Sequence, residues 1–393
     1  MPQAAARGDA SPVVAFLESQ TFRAIVYQFF TAGTVAFLLW YVSTNAADNL
    51  VRQGIATGFS FLQQEAGYDV GEKWIEHSAR DSYAQTILVG LLNTLYVSVL
   101  GVILATLLGT LLGIARVSRN WLSAKLSAAY VEVFRNTPLL LQIIFWYALL
   151  RQLPPPRQAL DLLPGVFLTN RGLIHPTIVS DPIHLWILGG LILGVALSVL
   201  LVRRSRLRRE KTGKALPVFW PSAATITGLP LLIWIAWGMP FTLDVPALRG
   251  FNFTGGTYQS PELVALVTGL VTYISAFIAE IVRSGIESVG HGQREAARSL
   301  GLREGHILRL VVLPQALRVI VPPLTGQYLN LVKDSSLAVY IGYPDLVSVS
   351  NTAVNQTGQA VEIIFLMMLV YLTISLSISL LMNWYNRAIA LRG

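Results

Sequence analysis

The segment Glu295–Pro314, "EAARSLGLREGHILRLVVLP", determines how the rest of this 393-residue chain is interpreted. It is charged and prone to form helix, yet it lies between two strongly apolar stretches. Its apolar positions form a hydrophobic side: Leu300, Leu302, Ile307, Leu308, Leu310 and Val311. Gly301 permits a bend that another residue would resist. The segment therefore predicts one or two short helices along a membrane surface, which either offer apolar residues to a partner or rest on lipid headgroups.

The composition is that of a membrane protein. Hydrophobic residues make up 53% of the chain and charged residues only 13%, whereas a soluble domain carries about 25% charged residues. We therefore predict an all-α, polytopic membrane protein. Cysteine is absent, and the five histidines are scattered without a zinc-binding pattern, so we predict no metal site. The chain has no G-x-x-x-x-G-K-[ST] motif for binding nucleotide phosphates.

Hydropathy predicts eight membrane spans, since about 20 apolar residues cross the hydrocarbon core. Five uncharged runs meet or approach this length: Val26–Ser43, Thr86–Ala115, Pro182–Val202, Ala215–Leu243 and Ile363–Asn386. Leu263–Ala279 is slightly short and extends readily to Val282. Two runs are weaker, because Asn136–Leu150 is flanked by arginines and Val319–Val332 contains two prolines.

Charge predicts the orientation of these spans. The predicted loop Arg203–Lys214 holds seven bases and one acid, whereas the predicted loop Thr44–Gln85 holds six acids and three bases. A basic loop faces the cytoplasm, whereas the acidic loop, with few bases for its length, can face out. An odd number of spans must then separate the two loops. We therefore count Asn136–Leu150 as crossing. Glu295–Pro314 and both termini are then cytoplasmic. The basic loop also suits contact with anionic lipid. Without an aromatic platform it does not indicate nucleic-acid binding.

The spacing within the opening segment resembles the E-A-A coupling loop of the membrane subunits of ATP-binding-cassette (ABC) importers. The matching positions are Glu295, Ala296, Ala297, Gly301, Leu313 and Pro314, while Val311 stands where isoleucine is usual. Three further stretches resemble permeases that import polar amino acids: "FRNTPLLLQIIFWY" (Phe134–Tyr147), "AEIVRSGIESVGHGQ" (Ala279–Gln293) and "LVKDSSLAVYIGYPDL" (Leu331–Leu346). His291 occupies a position where that family usually has proline.

The resemblance covers roughly Thr86–Leu150 and Tyr258–Gly393, and it implies a five-helix type I importer core. The long form of this chain looks like a permease of the general L-amino-acid importers. We predict four segments: an N-terminal span with an acidic periplasmic loop (1–85), the first part of the core (86–150), a periplasmic loop with an inserted helix pair (151–257), and the rest of the core (258–393) with a coupling loop at 283–318.

The resemblance also implies the function and the partners. The chain would be the permease subunit of an importer of polar or general L-amino acids in a bacterial inner membrane, working by alternating access. Its partners would be a second homologous permease, two cytoplasmic ATPase subunits, a periplasmic binding protein and membrane lipid. The chain would not be an enzyme by itself and would bind no cofactor, since ATP and magnesium would bind the ATPase. The six E-A-A positions would couple to that ATPase, with Glu295 beginning a short helix.

Other polar residues are candidates for a substrate pathway or a gate. Asn136, Thr137 and Gln142 either line a pathway or serve the span that they open, and Asn136 and Gln142 lie on nearly different helix faces. Gln327, Asn330, Lys333 and Asp334 either meet a zwitterionic amino acid at membrane depth or, for the two charges, lie at the outer headgroups. Glu280 and Arg283 form either an ion pair at a helix end or a gate contact.

An ion-coupled secondary transporter is the alternative function. Such a transporter typically shows repeats and isolated ionisable groups within its spans. No repeat is obvious in this chain, and the candidate groups are Glu280, Lys333 and Asp334.

Overall fold

The computed structural model describes residues 20–52, 54, 57–179, 181–213, 216–239 and 242–389. The described residues are mostly helical, as predicted. The helices are α1 (Gln20–Arg52), α2 (Tyr83–Arg116), α3 (Trp121–Asn136), α4 (Leu139–Arg151), α5 (Ile183–Thr212), α6 (Phe219–Ala236), α7 (Pro261–Glu287), α8 (His291–Ser299), α9 (Glu304–Ile307), α10 (Leu313–Asp334), α11 (Leu346–Thr357) and α12 (Ala360–Ile389). A π-helical turn (Leu308–Val312) precedes α10, and a 3₁₀ segment (Ser335–Ile341) follows it.

Among the described residues, seven helices are long and apolar enough to cross a membrane, and an eighth span exists if α3 and α4 together form one. These two helices meet at 104°. The predicted span Asn136–Leu150 therefore corresponds to the single helix α4, which begins only at Leu139 and does not qualify as a span without α3. Proline disfavours helical backbone in the residue before it, and Thr137 is extended ahead of Pro138, which separates the two helices. Helix α4 has 13 residues, a length of about 20 Å against about 30 Å of hydrocarbon.

Two predicted loops begin later than the hydropathy indicated. Helix α1 continues to Arg52, and α5 continues through the basic stretch to Thr212. In α5 the added residues are mostly arginine, lysine and glutamate, which are good helix formers, so the helix continues where hydropathy falls. Helix α10 also continues through Pro322 and Pro323.

The chain divides into two compact units, Met1–Leu91 with Leu346–Ile374 and Leu92–Asp345 with Ser375–Gly393. In the first unit, the segment before α2 packs on α11 and the start of α12 around the buried rings of Phe61 and Tyr83. Tyr83 Oη donates to Gln356 Oε1 at 2.6 Å. In the same segment Lys73 Nζ donates to the carboxylate of Asp69 at 2.8 Å, and this bond holds the pKa of Asp69 at about 2.

Helix α7 forms the core of the second unit, with buried residues on most of its length. Helix α2 crosses it closely at two glycines. A Cβ atom on Gly109 would lie 2.6 Å from Ile278 Cβ, and one on Gly113 would lie 2.7 Å from the carbonyl oxygen of Ala279. The Gly109-x-x-x-Gly113 spacing therefore marks close helix packing.

Helices α5 and α6 form an antiparallel hairpin within the inserted segment. Between residues 184 and 204, the buried residues of α5 are small: Gly190, Gly194 and Ser198. A Cβ atom on Gly194 would lie 2.3 Å from the carbonyl oxygen of Thr225 on α6. Helix α6, every residue of which is described, contains no buried residue. The outer faces of both helices are therefore exposed.

Short strands flank this hairpin, and they were not predicted from the sequence. They are β1 (Leu160–Leu163), β2 (Val166–Thr169), β3 (Gly172–His175), β4 (Thr177–Ile178), β5 (Leu243–Asp244), β6 (Ala247–Arg249), β7 (Asn252–Thr254) and β8 (Thr257–Gln259). One sheet has the order β1-β2-β3-β8, and β4–β5 and β6–β7 form antiparallel pairs. The strands therefore join the chain before the insertion to the chain after it.

Candidate coupling loop and translocation face

The opening segment folds as α8, a tight turn at Gly301, α9 and the π-helical turn. At the end of α8, Gly301 N donates to Arg298 O at 2.8 Å and Leu302 N donates to Ala297 O at 3.2 Å. These two bonds define a Schellman motif, in which the residue after the helix adopts left-handed backbone. Gly301 has φ +74°, so the glycine is required by the turn.

One side of this loop is anchored to the unit that carries it. Ala297, Ile307 and Val312 are buried in a cluster with Ala316 and Ile320. Two residues across the turn are also joined, since Arg298 Nε donates to Glu304 Oε1 at 2.7 Å. This hydrogen bond raises the pKa of Arg298. The loop is therefore a fixed surface feature.

The apolar side chains of the loop divide into two sets. Ile307 is buried and Leu302 and Val311 are half-buried, whereas Leu300 is 81% exposed and Leu308 and Leu310 are also exposed. Of the six predicted coupling residues, Ala297 is buried and the others are exposed, namely Glu295, Ala296, Gly301, Leu313 and Pro314. The loop thus exposes apolar side chains that are not buried by the rest of its own chain.

The expectation that Glu295 begins a helix is wrong. Helix α8 begins at His291, with Gly290 as its N-cap residue. Glu295 lies in the second turn, where its carbonyl oxygen accepts a hydrogen bond from Ser299 Oγ. The helix dipole acts on charges within the first turn, so Glu295 has no special stabilising role at this helix end.

The predicted pathway residues on α10 fall into two groups. Asn330 and Lys333 are exposed and continue a face formed by Val319, Pro323 and Gly326. We call these five residues the α10 face. Gln327 and Asp334 are half-buried at its edge. The structure therefore brings two of the four predicted polar residues onto one exposed helix surface.

The predicted residues at the α3–α4 elbow have a structural task. Gln142 is buried, and its Nε2 donates to the carbonyl oxygens of Phe134 (2.9 Å) and Thr137 (3.0 Å). Asn136 is exposed at the end of α3. Gln142 and Thr137 thus act together in closing the bend, and Asn136 takes no part in these two bonds. A largely apolar cavity of about 450 Å³ lies here, lined by Val133, Phe134, Thr137, Leu141, Gln142, Phe145 and Trp146.

Glu280 and Arg283 belong to a larger charge network than predicted. Arg283 Nη2 lies 2.5 Å from Glu280 Oε1, and Arg283 also pairs with Glu287. Arg116, at the end of α2, pairs with Glu280 from the neighbouring helix. Sequence reasoning missed Arg116, although its place at the end of a span put it at the same membrane face as Glu280.

Comparisons with known proteins define the class of this chain. Residues 211–392 match the family model "Binding-protein-dependent transport system inner membrane component". The chain is 47% identical over 371 residues to the general L-amino acid transport system permease protein AapQ of Rhizobium johnstonii, covering 94% of this chain and 93% of that protein.

Two other relatives match over nearly their full length. The putative amino-acid ABC transporter permease protein YhdX of Escherichia coli is 51% identical, covering 94% of this chain and 95% of that protein. The glutamate/glutamine/aspartate/asparagine transport system permease protein BztB of Rhodobacter capsulatus is 41% identical, covering 95% and 94%. The chain belongs to the family of amino-acid ABC transporter permease proteins, as the E-A-A spacing and the three further stretches together predicted. This membership does not support the alternative of an ion-coupled secondary transporter.

Proposed function

We propose that this permease imports polar or general L-amino acids as part of a complex with a second homologous permease, two cytoplasmic ATPase subunits and a periplasmic binding protein. The transport systems for which the similar proteins are named support this substrate class. ATP and magnesium bind the ATPase, and this chain breaks no bond itself. Both termini and the coupling loop face the cytoplasm, which the basic composition of residues 203–214 supports.

The observation that carries this proposal is the coupling loop. Leu300, Leu308 and Leu310 are exposed beside a turn whose backbone is fixed by two hydrogen bonds. An apolar cluster of this kind on a rigid support is suited to a pocket on a partner protein. The partner is the ATPase, and the exposed leucines are its contact.

The packing of the loop provides a route for movement. Ala297, Ile307 and Val312 share one cluster with Ile274, Ile278 and Val282 of α7 and with Ile320 of α10. Packed side chains transmit displacement because protein interiors are dense and deform little. ATP-driven closure of the ATPase subunits therefore moves α7 and α10 together with the loop, which provides the alternation between outward and inward access.

The α10 face supplies the pathway. A charged side chain at membrane depth is costly and faces a bundle interior or a water-filled cavity. Lys333 and Asn330 are exposed in this single chain, so in the complex a partner or water must cover them. The second permease lies opposite the α10 face, and the substrate passes between the two.

Two alanine substitutions test the coupling role. Gly301 has φ +74°, whereas the φ of Gly305 in α9 is not positive. A Cβ atom on either glycine would meet nothing within 4 Å. Left-handed backbone costs a non-glycine residue about 1–2 kcal/mol. Gly301→Ala should therefore distort the turn, while Gly305→Ala leaves it intact. Uptake of radiolabelled amino acids and ATP hydrolysis stimulated by loaded binding protein are measured on the reconstituted complex.

Gly301→Ala should lower uptake and stimulated hydrolysis together, and Gly301→Val should abolish both while basal hydrolysis persists. Gly305→Ala should behave as wild type. Wild-type coupling in Gly301→Val would contradict the proposal, since it would reduce the segment to a surface loop.

A further inference from the structure

The cytoplasmic end of α5 carries a dense set of bases. Directly after the apolar run that ends at Val202, the helix continues for almost three turns to Thr212. Six of its positions are basic and exposed: Arg203, Arg204, Arg206, Arg208, Arg209 and Lys211. The acid in this stretch, Glu210, lies 3.4 Å from Arg206 Nε. A helix bearing so much positive charge is suited to an anionic surface.

This basic extension is held in place. Ser205 is buried, and its Oγ donates to Leu216 O at 3.0 Å and accepts from Leu216 N at 3.1 Å. Gly213, with φ +69°, ends the helix and donates to Arg209 O. The bases therefore project from a rigid helix that is bonded to the segment before α6. Their spacing along this helix determines which of them share a face.

One face of the extension is basic without an acid. Arg204, Arg208 and Lys211 follow a spacing of four and three residues, which places them on one side of a helix. The same spacing continues toward the membrane centre through Leu193, Leu197 and Leu200, all exposed. The helix thus carries a stripe that is apolar within the membrane and basic at its surface.

The depth of the stripe matches a phospholipid. Arg204 to Lys211 spans about 10 Å at 1.5 Å per residue, and the headgroup layer on one side is about 5–7 Å thick. Long basic side chains reach back toward phosphates from positions beyond this layer. Every residue of the stripe is exposed, so the hairpin leaves this stripe open to lipid.

We propose that Arg204, Arg208 and Lys211 bind the phosphate of an anionic phospholipid whose acyl chain lies along Leu193, Leu197 and Leu200. The proposal rests on the cytoplasmic orientation given under the proposed function. It assigns the inserted hairpin a task that the transport core does not perform, namely the selection of the lipid beside it.

The test compares two triple variants with the same loss of charge. One changes the basic face (Arg204→Gln, Arg208→Gln, Lys211→Gln), and the other changes the remaining sides of the same helix (Arg203→Gln, Arg206→Gln, Arg209→Gln). Each full-length permease, in complex with its partners, is placed in nanodiscs of phosphatidylglycerol and phosphatidylcholine. The phospholipid retained after re-extraction into detergent is quantified by mass spectrometry.

The basic-face variant should retain at least about fivefold less phosphatidylglycerol relative to phosphatidylcholine, because one base near an anionic surface contributes about that factor. The control variant should change less. Equal losses in both, or no loss in either, would overturn the proposal. So would a wild-type protein that retains both lipids equally. A basic-face variant that loses its ATPase subunits in phosphatidylcholine alone would identify a protein contact instead, and would also overturn it.

The orientation is checked separately, because bases also fix the direction of insertion. Thr212→Cys provides a single thiol in a chain without cysteine. An impermeant thiol reagent should label it only from the cytoplasmic side in wild type and in both triple variants. Labelling of the otherwise wild-type Thr212→Cys protein from the periplasm would contradict the proposed orientation rather than the lipid contact.

Discussion

Helix α7 and the α5–α6 hairpin both pack closely against a neighbouring helix, but they differ in how many of their residues are buried. In α7, 14 of 27 residues are buried, whereas α6 buries none of its 18. Both regions use glycine to bring helices together, at Gly109 and Gly113 against α7 and at Gly190 and Gly194 against α6. Each glycine contact therefore brings together one pair of helices. Its contribution to the stability of the whole protein depends on how many other elements pack on the same buried surface.

The largest difference between α7 and the hairpin is expected when a side chain is placed in these glycine contacts. Gly113→Val and Gly194→Val each place a Cβ atom within 2.7 Å of a backbone oxygen, a clash that typically costs 1–3 kcal/mol or more. Gly113→Val should remove the folded monodisperse protein and all uptake. Gly194→Val should separate the hairpin helices and leave uptake near wild type. Thermal unfolding in detergent and uptake by reconstituted complexes measure the two effects. Loss of uptake in folded Gly194→Val would show that the hairpin belongs to the transport core.

An intermediate difference is expected for charge. Glu280→Gln leaves Arg116 and Arg283 without the carboxylate that joins α2 to α7, and hydrogen bonds to charged groups contribute about 1.5–3 kcal/mol. Glu210→Gln breaks an exposed pair on the hairpin, where such pairs contribute at most about 1 kcal/mol. The unfolding temperature should fall clearly in the first variant and hardly in the second. Equal shifts would mean that the α2–α7 network is as weak as a surface pair.

The smallest difference is expected for hydroxyl groups. Thr106 Oγ1 lies 3.0 Å from Tyr328 Oη on another helix, so Thr106→Ala should cost about 1 kcal/mol. Thr225 and Thr227 donate to carbonyl oxygens of their own helix. Alanine at those two positions should change stability by less than about 0.5 kcal/mol and leave uptake and substrate preference unchanged. A changed substrate preference would place the hairpin in the pathway.

The long membrane spans could be predicted from hydropathy. The bend between α3 and α4 and the short strands could not, because they depend on local backbone geometry. The long apolar runs predicted the long spans because lipid permits little else. The elbow before Pro138 was missed because α3 carries Lys125, Glu132 and Arg135, so hydropathy did not indicate that a helix precedes the apolar α4. The strands around the insertion are two to four residues long, too short for a periodic pattern to stand out.

The candidate site shows the same limits. The E-A-A spacing predicted the candidate coupling loop, and Gly301 predicted the turn within it. The helix start was wrong because Gly290 and His291 form an entry that the spacing does not specify. Gln142 was considered for the pathway because polarity alone does not show that its amide closes an elbow. Arg116 could have been found by pairing charges at helix ends of the same membrane side.

The strand pairs at the root of the hairpin have an evolutionary consequence. Thr177 pairs with Asp244 and Ile178 with Leu243, next to the pairing of β3 with β8. Paired residues of neighbouring strands lie only about 4.5–5.5 Å apart, a gap that a two-residue turn closes. The intervening stretch can therefore be removed as a cassette, because a two-residue β-turn joins the ends that it leaves. The strands are thus the seam along which a longer permease could be assembled from a shorter one.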